Sequence, residues 1–313
     1  EDLLGSTPGS RQVVLSTLGG IVGDRGQWVP GLPGYRIGDE VLLFLGPSIK
    51  TVRPTGPPPT EIIEHRAVIG LALGAFFVQR PGDGGPAHLT RRLDGDAAVT
   101  TTPAFAWYEL AGAPGEYVRW YQDEIPVLLD SALTTDADDD AVRAAVAAAV
   151  GTWNAVDCPH PVLAAPVEVT DVPPLRTIDG HDHGTNLVVF QDGDEWALRH
   201  PTSAYGILDM SRVLALTTLY YHPYTGTAES FSLEVNDGAH TFSTTGFMAT
   251  NDIQNMLTHE LGHVLGLDHP CRDRDLCGET TMYFSAPAGE TKKRTLHPDD
   301  IAGLVTRGKG DGV

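Results

Sequence analysis

The stretch HELGHVLGLDH, residues 259–269, decides how the second half of this chain folds. His259 and His263 are four residues apart, so a helix projects both imidazoles from one face. Apolar residues recur at helical spacing on roughly the opposite face: Ile253, Leu257, Leu261 and Val264. This pattern predicts a long helix that begins near Thr250, with Thr250 or Asn251 as its N-cap, and packs its apolar side into a core.

The histidines of this stretch predict a zinc site. Two imidazoles at this spacing can share one metal ion, and nitrogen ligands favour zinc. Gly266 allows the chain to leave the helix in a left-handed conformation, which can bring His269 back as a third ligand. Three protein ligands leave a fourth position open for water, as is typical of catalytic zinc sites. Glu260, beside the first ligand, is placed to take a proton from that water without binding the metal.

The composition is that of a soluble globular protein with a strong acidic excess. The 313 residues suffice for one large or two modest domains, and 41% of them are hydrophobic. The net charge of −20 disfavours binding to nucleic acid or to an anionic membrane surface. It fits a secreted protein that also holds Ca2+, or a protein that is simply kept soluble by its charge. No apolar run approaches the roughly 18 residues needed to span a bilayer.

The start of the chain carries no secretory signal pattern: a signal peptide has been removed, or none existed. Residues 1–104 are predicted to form a small β-rich domain, either a barrel or a sandwich. Their apolar runs are separated by breakers such as WVPGLPG (28–34) and RPTGPPPT (53–60). The sequence does not decide whether this domain is an inhibitory prosegment or a permanent accessory domain.

Residues 105–313 are predicted to form an α/β domain with a mixed sheet and three main helices. Besides the helix of the histidine stretch, one helix should start at the acidic cluster 136–140 and another at Pro298. Strands are expected at four places: 124–130, 187–190, 213–221 and 231–235. The boundary between the two domains is expected near residues 100–115.

At this point the sequence resembles a known clan. HELGHVLGLDH followed by a downstream methionine is the signature of metzincin zinc metalloendopeptidases, and Met282 in ETTMYFS is the methionine. The resemblance implies that Met282 lies in a turn beneath the zinc ligands without binding the metal. It also implies a mixed twisted sheet and protein or peptide substrates. Met282 could equally be described as a core residue, since the role of such a turn is packing.

The finer resemblance is to bacterial matrixin-like proteases. RWYQDEIPVLLD (119–130) looks like the first strand of that family, and TLHPDDIAGLVTRG (295–308) resembles its closing helix. Residues 220–236 are similar to its edge-strand region along the substrate cleft. Tyr283 follows the methionine, as in clan members whose tyrosine approaches the zinc, although a structural role is favoured.

The sequence departs from the matrixin pattern in its metal-binding residues and its cysteines. Matrixins often carry a structural zinc and calcium, and HDHGTN (181–186) and DGDE (192–195) offer suitable ligand types without the family spacing. Residues 1–157 contain no cysteine, so a prosegment thiol cannot cap the zinc from there.

Three cysteines are too few for a disulfide-built scaffold. Cys271 and Cys277 are close enough in sequence to close a small loop, and export would favour that bond. Pairing of Cys158 with either of the others stays open.

The sequence therefore predicts a secreted zinc endopeptidase, monomeric, with Glu260 as general base. Two alternatives remain: a zinc-bearing binding or adhesion protein with little catalysis, and a metal-dependent hydrolase of a non-peptide substrate.

Overall fold

The computed structural model describes most of residues 118–308, with gaps, and the residues before 118 only as short strand segments. The ranges are 118–158, 161–170, 172, 185–200, 210–222, 224–270 and 274–308, with 15–16, 20–22, 25–29, 41–43, 49–54, 60–67, 75–79, 88–90 and 106–107.

Nineteen strands are described. Those before residue 110 are β1 (Leu15–Ser16), β2 (Gly20–Val22), β3 (Arg25–Trp28), β4 (Val41–Leu43), β5 (Ile49–Pro54), β6 (Thr60–Ala67), β7 (Ala75–Gln79), β8 (His88–Thr90) and β9 (Ala106–Trp107). Those after it are β10 (Glu124–Ile125), β11 (Leu128–Asp130), β12 (Val162–Leu163), β13 (Val167–Val169), β14 (Leu187–Gln191), β15 (Ala215–Tyr221), β16 (Ala228–Asn236), β17 (Phe242–Ser243), β18 (Asn251–Asp252) and β19 (Leu267–Asp268).

Five α-helices are described: α1 (Asp139–Asn154), α2 (Gly193–Arg199), α3 (Ile253–Val264), α4 (Arg274–Cys277) and α5 (Pro298–Gly308). The three longest are α1, α3 and α5, which agrees with the three main helices predicted from the sequence. Helix α1 begins where the acidic cluster predicted, with Asp138 as N-cap and Asp139 and Asp140 in the first turn. Negative charge at this end is stabilised by the helix dipole.

A seven-stranded mixed sheet forms the centre of the domain, in the order β13-β11-β14-β16-β15-β3-β2. The first four strands pair in parallel, whereas β15 runs antiparallel to β16. Strand β16 lies inside the sheet, between β14 and β15. The predicted similarity of residues 220–236 to an edge-strand region is therefore wrong for residues 228–236. The fold class predicted from the sequence, a mixed sheet with helices, is confirmed.

The core lies between this sheet and the pair α1 and α3. Helix α1 contributes Val142, Val146 and Trp153, and α3 contributes Leu257 and Leu261, all almost fully buried. The indole nitrogen of Trp153 donates a hydrogen bond to the carbonyl of Thr258 at 2.8 Å and so ties the two helices together.

The N-terminal half contributes strands, as predicted, and two of them belong to the central sheet. Strand β3 pairs antiparallel with β15, and β2 pairs with β3. The other described strands before β9 form two three-stranded sheets, β1-β6-β5 and β4-β7-β8. The division of the chain at residues 104 and 105 stays a prediction, but β2 and β3 share a sheet with strands that follow residue 127.

A buried charged cluster lies on β16, away from the histidines. Glu234 accepts hydrogen bonds from the side chains of Arg199 at 2.5 Å, Gln191 at 2.8 Å and His200 at 3.1 Å. Burial alone would raise the pKa of Glu234, but the hydrogen bonds from His200 and Arg199 lower it to about 2. The cluster joins α2 to the sheet by means of a carboxylate that stays ionised.

No helix among the described residues is long and apolar enough to cross a membrane.

Candidate metal centre

Helix α3 carries the first two histidines into the interior. Asp252 is its N-cap, and its carboxylate accepts a hydrogen bond from the backbone N–H of Asn255 at 2.9 Å. The prediction of Thr250 or Asn251 as the cap is therefore wrong, because these residues precede the position from which a side chain can reach the free N–H groups. Nearly every residue of α3 is buried, since the helix lies between α1 and β15.

The chain turns back at Gly266, as the sequence predicts. Gly266 has a φ of +89°, and its N–H donates to the carbonyl of His263 at 2.8 Å. A residue with a side chain would be strained in this left-handed conformation. The two residues of β19 follow, and the next residue, His269, meets His259 and His263.

The three imidazoles form a nearly equilateral set. Their Nε2 atoms are 3.2 Å apart for His259 and His263, 3.1 Å for His263 and His269, and 3.2 Å for His259 and His269. A tetrahedral zinc with Zn–N bonds of about 2.0–2.1 Å places two of its ligands roughly 3.3–3.4 Å apart. Within the described ranges, these three histidines are the cluster whose geometry could hold a metal ion. The donor set fits zinc.

Backbone carbonyls select the tautomer that a metal requires. The Nδ1–H of His259 donates to the carbonyl of Thr281 at 2.7 Å, and that of His263 donates to the carbonyl of Leu267 at 2.8 Å. A carbonyl can only accept, so each Nε2 faces its neighbours with a lone pair. Burial lowers the pKa of His263 to about 3 and holds the pKa of His259 well below its usual value. Both imidazoles are thus neutral ligands, and such second hydrogen bonds orient them.

Met282 lies beneath the histidine helix, in the turn that the resemblance implies. It is buried, and its sulfur would lie 2.3 Å from a Cβ atom added to Gly262 of α3. Asp300 of α5 holds this turn by accepting hydrogen bonds from the backbone N–H groups of Thr281 at 2.7 Å and Met282 at 3.2 Å. Because the carbonyl of Thr281 also accepts the hydrogen bond from Nδ1–H of His259, α5 helps to fix the orientation of a candidate ligand.

Glu260 is buried beside the histidines. Its Oε2 accepts a hydrogen bond from the hydroxyl of Thr217 on β15 at 2.6 Å. Burial raises the pKa of Glu260 to about 7, and the hydrogen bond from Thr217 opposes that rise. A carboxyl group whose pKa is near neutrality can exchange a proton with water at physiological pH, which is what a general base requires.

Sequence reasoning missed Thr217, Asp300 and a buried lysine, Lys293. The ammonium of Lys293 donates to the carbonyl of Tyr283, and its backbone N–H donates to the side chain of Asn255 at 2.8 Å. Burial lowers the pKa of Lys293 to about 8. The pattern HPDD, which contains Asp300, correctly predicted the start of α5, but no local signal shows which distant N–H groups the carboxylate of Asp300 serves.

Other predicted site residues have different outcomes. Tyr283 is buried and packs against Phe284, with ring centroids 4.8 Å apart, which fits the favoured structural role. In DGDE, Asp192 is the N-cap of α2 and accepts from the N–H groups of Asp194 and Glu195, so its capping carboxylate is committed to the helix. Residues 181–184 of HDHGTN lie outside the described residues.

The cysteines are placed in part. Cys158 is a free thiol, which disfavours its pairing with either of the others. Cys277 is buried, but Cys271 lies outside the described residues. The bond between Cys271 and Cys277 therefore stays a prediction. A calcium site likewise stays a prediction.

With this geometry in place, comparison with known families is informative. Residues 180–306 match the model of the matrixin peptidase family. The match covers less than half of the chain, and together with the histidine cluster it supports a metzincin-like zinc metalloprotease. The family supports a metallopeptidase, with zinc as its metal and proteins as substrates. A comparison with individual curated proteins found no match.

Proposed function

We propose that this protein is a secreted zinc-dependent endopeptidase in which His259, His263 and His269 hold the zinc and Glu260 is the general base. The observation that carries the proposal is the convergence of three imidazole Nε2 atoms, 3.1–3.2 Å apart, next to a buried carboxyl group. Zinc held there would supply a Lewis acid that polarises the scissile carbonyl and lowers the pKa of a nearby water towards about 7.

The protein's own groups account for the proton transfers. Glu260 takes a proton from water as the water oxygen bonds to the carbonyl carbon of the substrate. When the C–N bond breaks, Glu260 returns that proton to the leaving amine nitrogen. Thr217 occupies Oε2, which leaves Oε1 as the oxygen that accepts the proton. Thr281 and Leu267 accept the Nδ1–H groups of the two helical ligands and so keep the imidazoles in place.

The test compares zinc content and hydrolysis in one preparation. We expect Glu260→Gln to retain zinc and fold, because Gln has nearly the same shape and the carboxylate is not a ligand. Turnover of unfolded casein should fall by about 10²–10⁴, the usual contribution of general base catalysis. Glu195→Gln, in the exposed first turn of α2, is the matched control and should retain full activity. Full zinc occupancy with less than about a tenfold loss in Glu260→Gln would refute the role of this carboxylate.

The casein assay, combined with an assay on small ester or amide substrates, separates the two alternative functions. An adhesion protein with a zinc site would bind zinc but leave casein intact. A hydrolase of non-peptide substrates would also leave casein intact, yet it would lose esterase or amidase activity on small substrates when Glu260 is changed.

Export is part of the proposal. It is supported by the acidic net charge of −20, which fits a soluble extracellular protein. Fractionation of producing cells should recover the protein outside the cytoplasm. Recovery in the cytoplasm alone would contradict this part without affecting the assignment of the zinc site.

A further inference from the structure

Thr217 interrupts an apolar row. Along β15, Ala215, Leu219 and Tyr221 are buried in the core, and Thr217 stands between them at the same spacing of two. Successive side chains of a strand alternate between its faces, so these four side chains point to one side. A valine would fit this row as well in shape. An unpaired buried hydroxyl is destabilising, so the hydroxyl of Thr217 requires a hydrogen-bond partner.

The hydroxyl of Thr217 donates to Glu260. The Oγ1 of Thr217 is 2.6 Å from Oε2 of Glu260 and 3.3 Å from its backbone carbonyl. The shorter contact is to a carboxylate, the stronger acceptor of the two. Thr217 is 1% exposed and Glu260 is 8% exposed, so water competes little for this hydrogen bond.

We propose that Thr217 is a positioning residue that holds Oε2 of Glu260 and thereby turns Oε1 towards the reacting water. This inference rests on the proposed function of the site. A carboxylate fixed by one oxygen loses rotational freedom about its last side-chain bond. Its other oxygen is then directed along one line, which is the condition for efficient proton transfer. Thr217 does not touch the substrate in this role.

The experiment uses two variants of the full-length zinc protein. Thr217→Val keeps the shape and removes the hydroxyl, whereas Thr217→Ser keeps the hydroxyl and removes the methyl group. We expect Thr217→Val to lower kcat about tenfold or more with KM changed less than about twofold, since misplacement of a reacting group acts on the chemical step. Thr217→Ser should restore most of kcat. Zinc content and melting temperature should be retained in both.

A double variant identifies the route of the effect. If Thr217 acts through Glu260, Thr217→Val should cause no further loss in a Glu260→Gln background, because the two changes disable one unit. A kcat in Thr217→Val within about twofold of the unchanged protein would overturn the positioning role while Glu260→Gln still abolished turnover. Retained turnover in Glu260→Gln would instead overturn the proposed function, and with it the role of Thr217.

Discussion

Gly262 is the position at which the histidine helix comes closest to the turn beneath it. In HELGH it lies between the two helical histidines, on the side that faces Met282 and Trp153. A Cβ atom there would be 2.3 Å from the sulfur of Met282 and 2.8 Å from a ring carbon of Trp153. Both side chains are buried, and the Trp153 indole is held by its hydrogen bond to Thr258. Gly262→Ala therefore requires the turn, the helix or both to move.

The magnitude follows from two opposing effects. Replacing glycine by alanine within a helix normally stabilises it by about 1 kcal/mol. Forcing an extra methyl group into a closely packed core typically costs about 1–3 kcal/mol. The second effect should prevail, because neither contact atom is the free end of an exposed side chain. We expect a net loss of up to about 2 kcal/mol, or a melting temperature lower by up to roughly 8 °C for a domain of this size.

The assay is thermal unfolding of the zinc-free and the zinc-loaded protein, with Gly151→Ala as the matched control. Gly151 lies in α1, is exposed, and would have no heavy atom within 4 Å of an added Cβ atom. Gly151→Ala should therefore raise stability by roughly 0.5–1 kcal/mol. Zinc affinity should fall in Gly262→Ala but not in Gly151→Ala. The turn that contains Met282 also contains Thr281, whose carbonyl accepts the hydrogen bond from Nδ1–H of His259. Gly262→Ala as stable as Gly151→Ala would refute the packing argument.

Three further predictions concern the metal, the buried charge and the disulfide. His263→Ala should abolish stoichiometric zinc binding, measured by elemental analysis, because it removes one of the three proposed ligands. Glu234→Gln should remove about 3 kcal/mol of stability at neutral pH, as estimated from its pKa of about 2 against 4.5. Because the pKa of Glu234 is lower in the folded than in the unfolded chain, its ionised carboxylate stabilises the folded state fully above about pH 4.5. In denaturant titrations, the difference in unfolding free energy between the unchanged protein and Glu234→Gln should therefore shrink as the pH falls towards 2. Non-reducing peptide mapping should find Cys271 linked to Cys277, and a link from either to Cys158 would contradict the prediction.

The sequence predicted those features that depend on local spacing. The interval between His259 and His263 fixes their shared helix face, and Gly266 permits the return to His269, because both are consequences of backbone geometry over a few residues. The acidic start of α1 was likewise readable. The cap of α3 was not, since Thr250, Asn251 and Asp252 all have the right chemistry and only the backbone path decides among them.

The residues that support the site were not predictable, because their partners are distant in sequence. Thr217 is 43 residues from Glu260, and Asp300 is 19 residues from Thr281. Thr217 also lies in a strand where threonine is an ordinary residue, so its type carries no signal. Lys293 looks like part of an exposed basic run, KKR, and its burial follows from the packing of the 292–294 turn against α3.

The domain boundary shows a different limit of sequence reasoning. Composition and turn-forming residues separate a strand-rich first third from the α/β remainder, and the described strands agree with that texture. Yet β2 and β3 extend the central sheet, and nothing in the sequence RGQW (25–28) indicates which strand it pairs with. Strand pairing is decided by which edge is free and by whether the side chains fit, as Gly26 fits against Tyr221. A change in composition therefore shows where the predicted secondary structure changes. Which residues fold together as one unit depends instead on strand pairing within the sheet. If β3 stabilises that sheet, removal of residues 1–29 should lower the stability of the zinc domain.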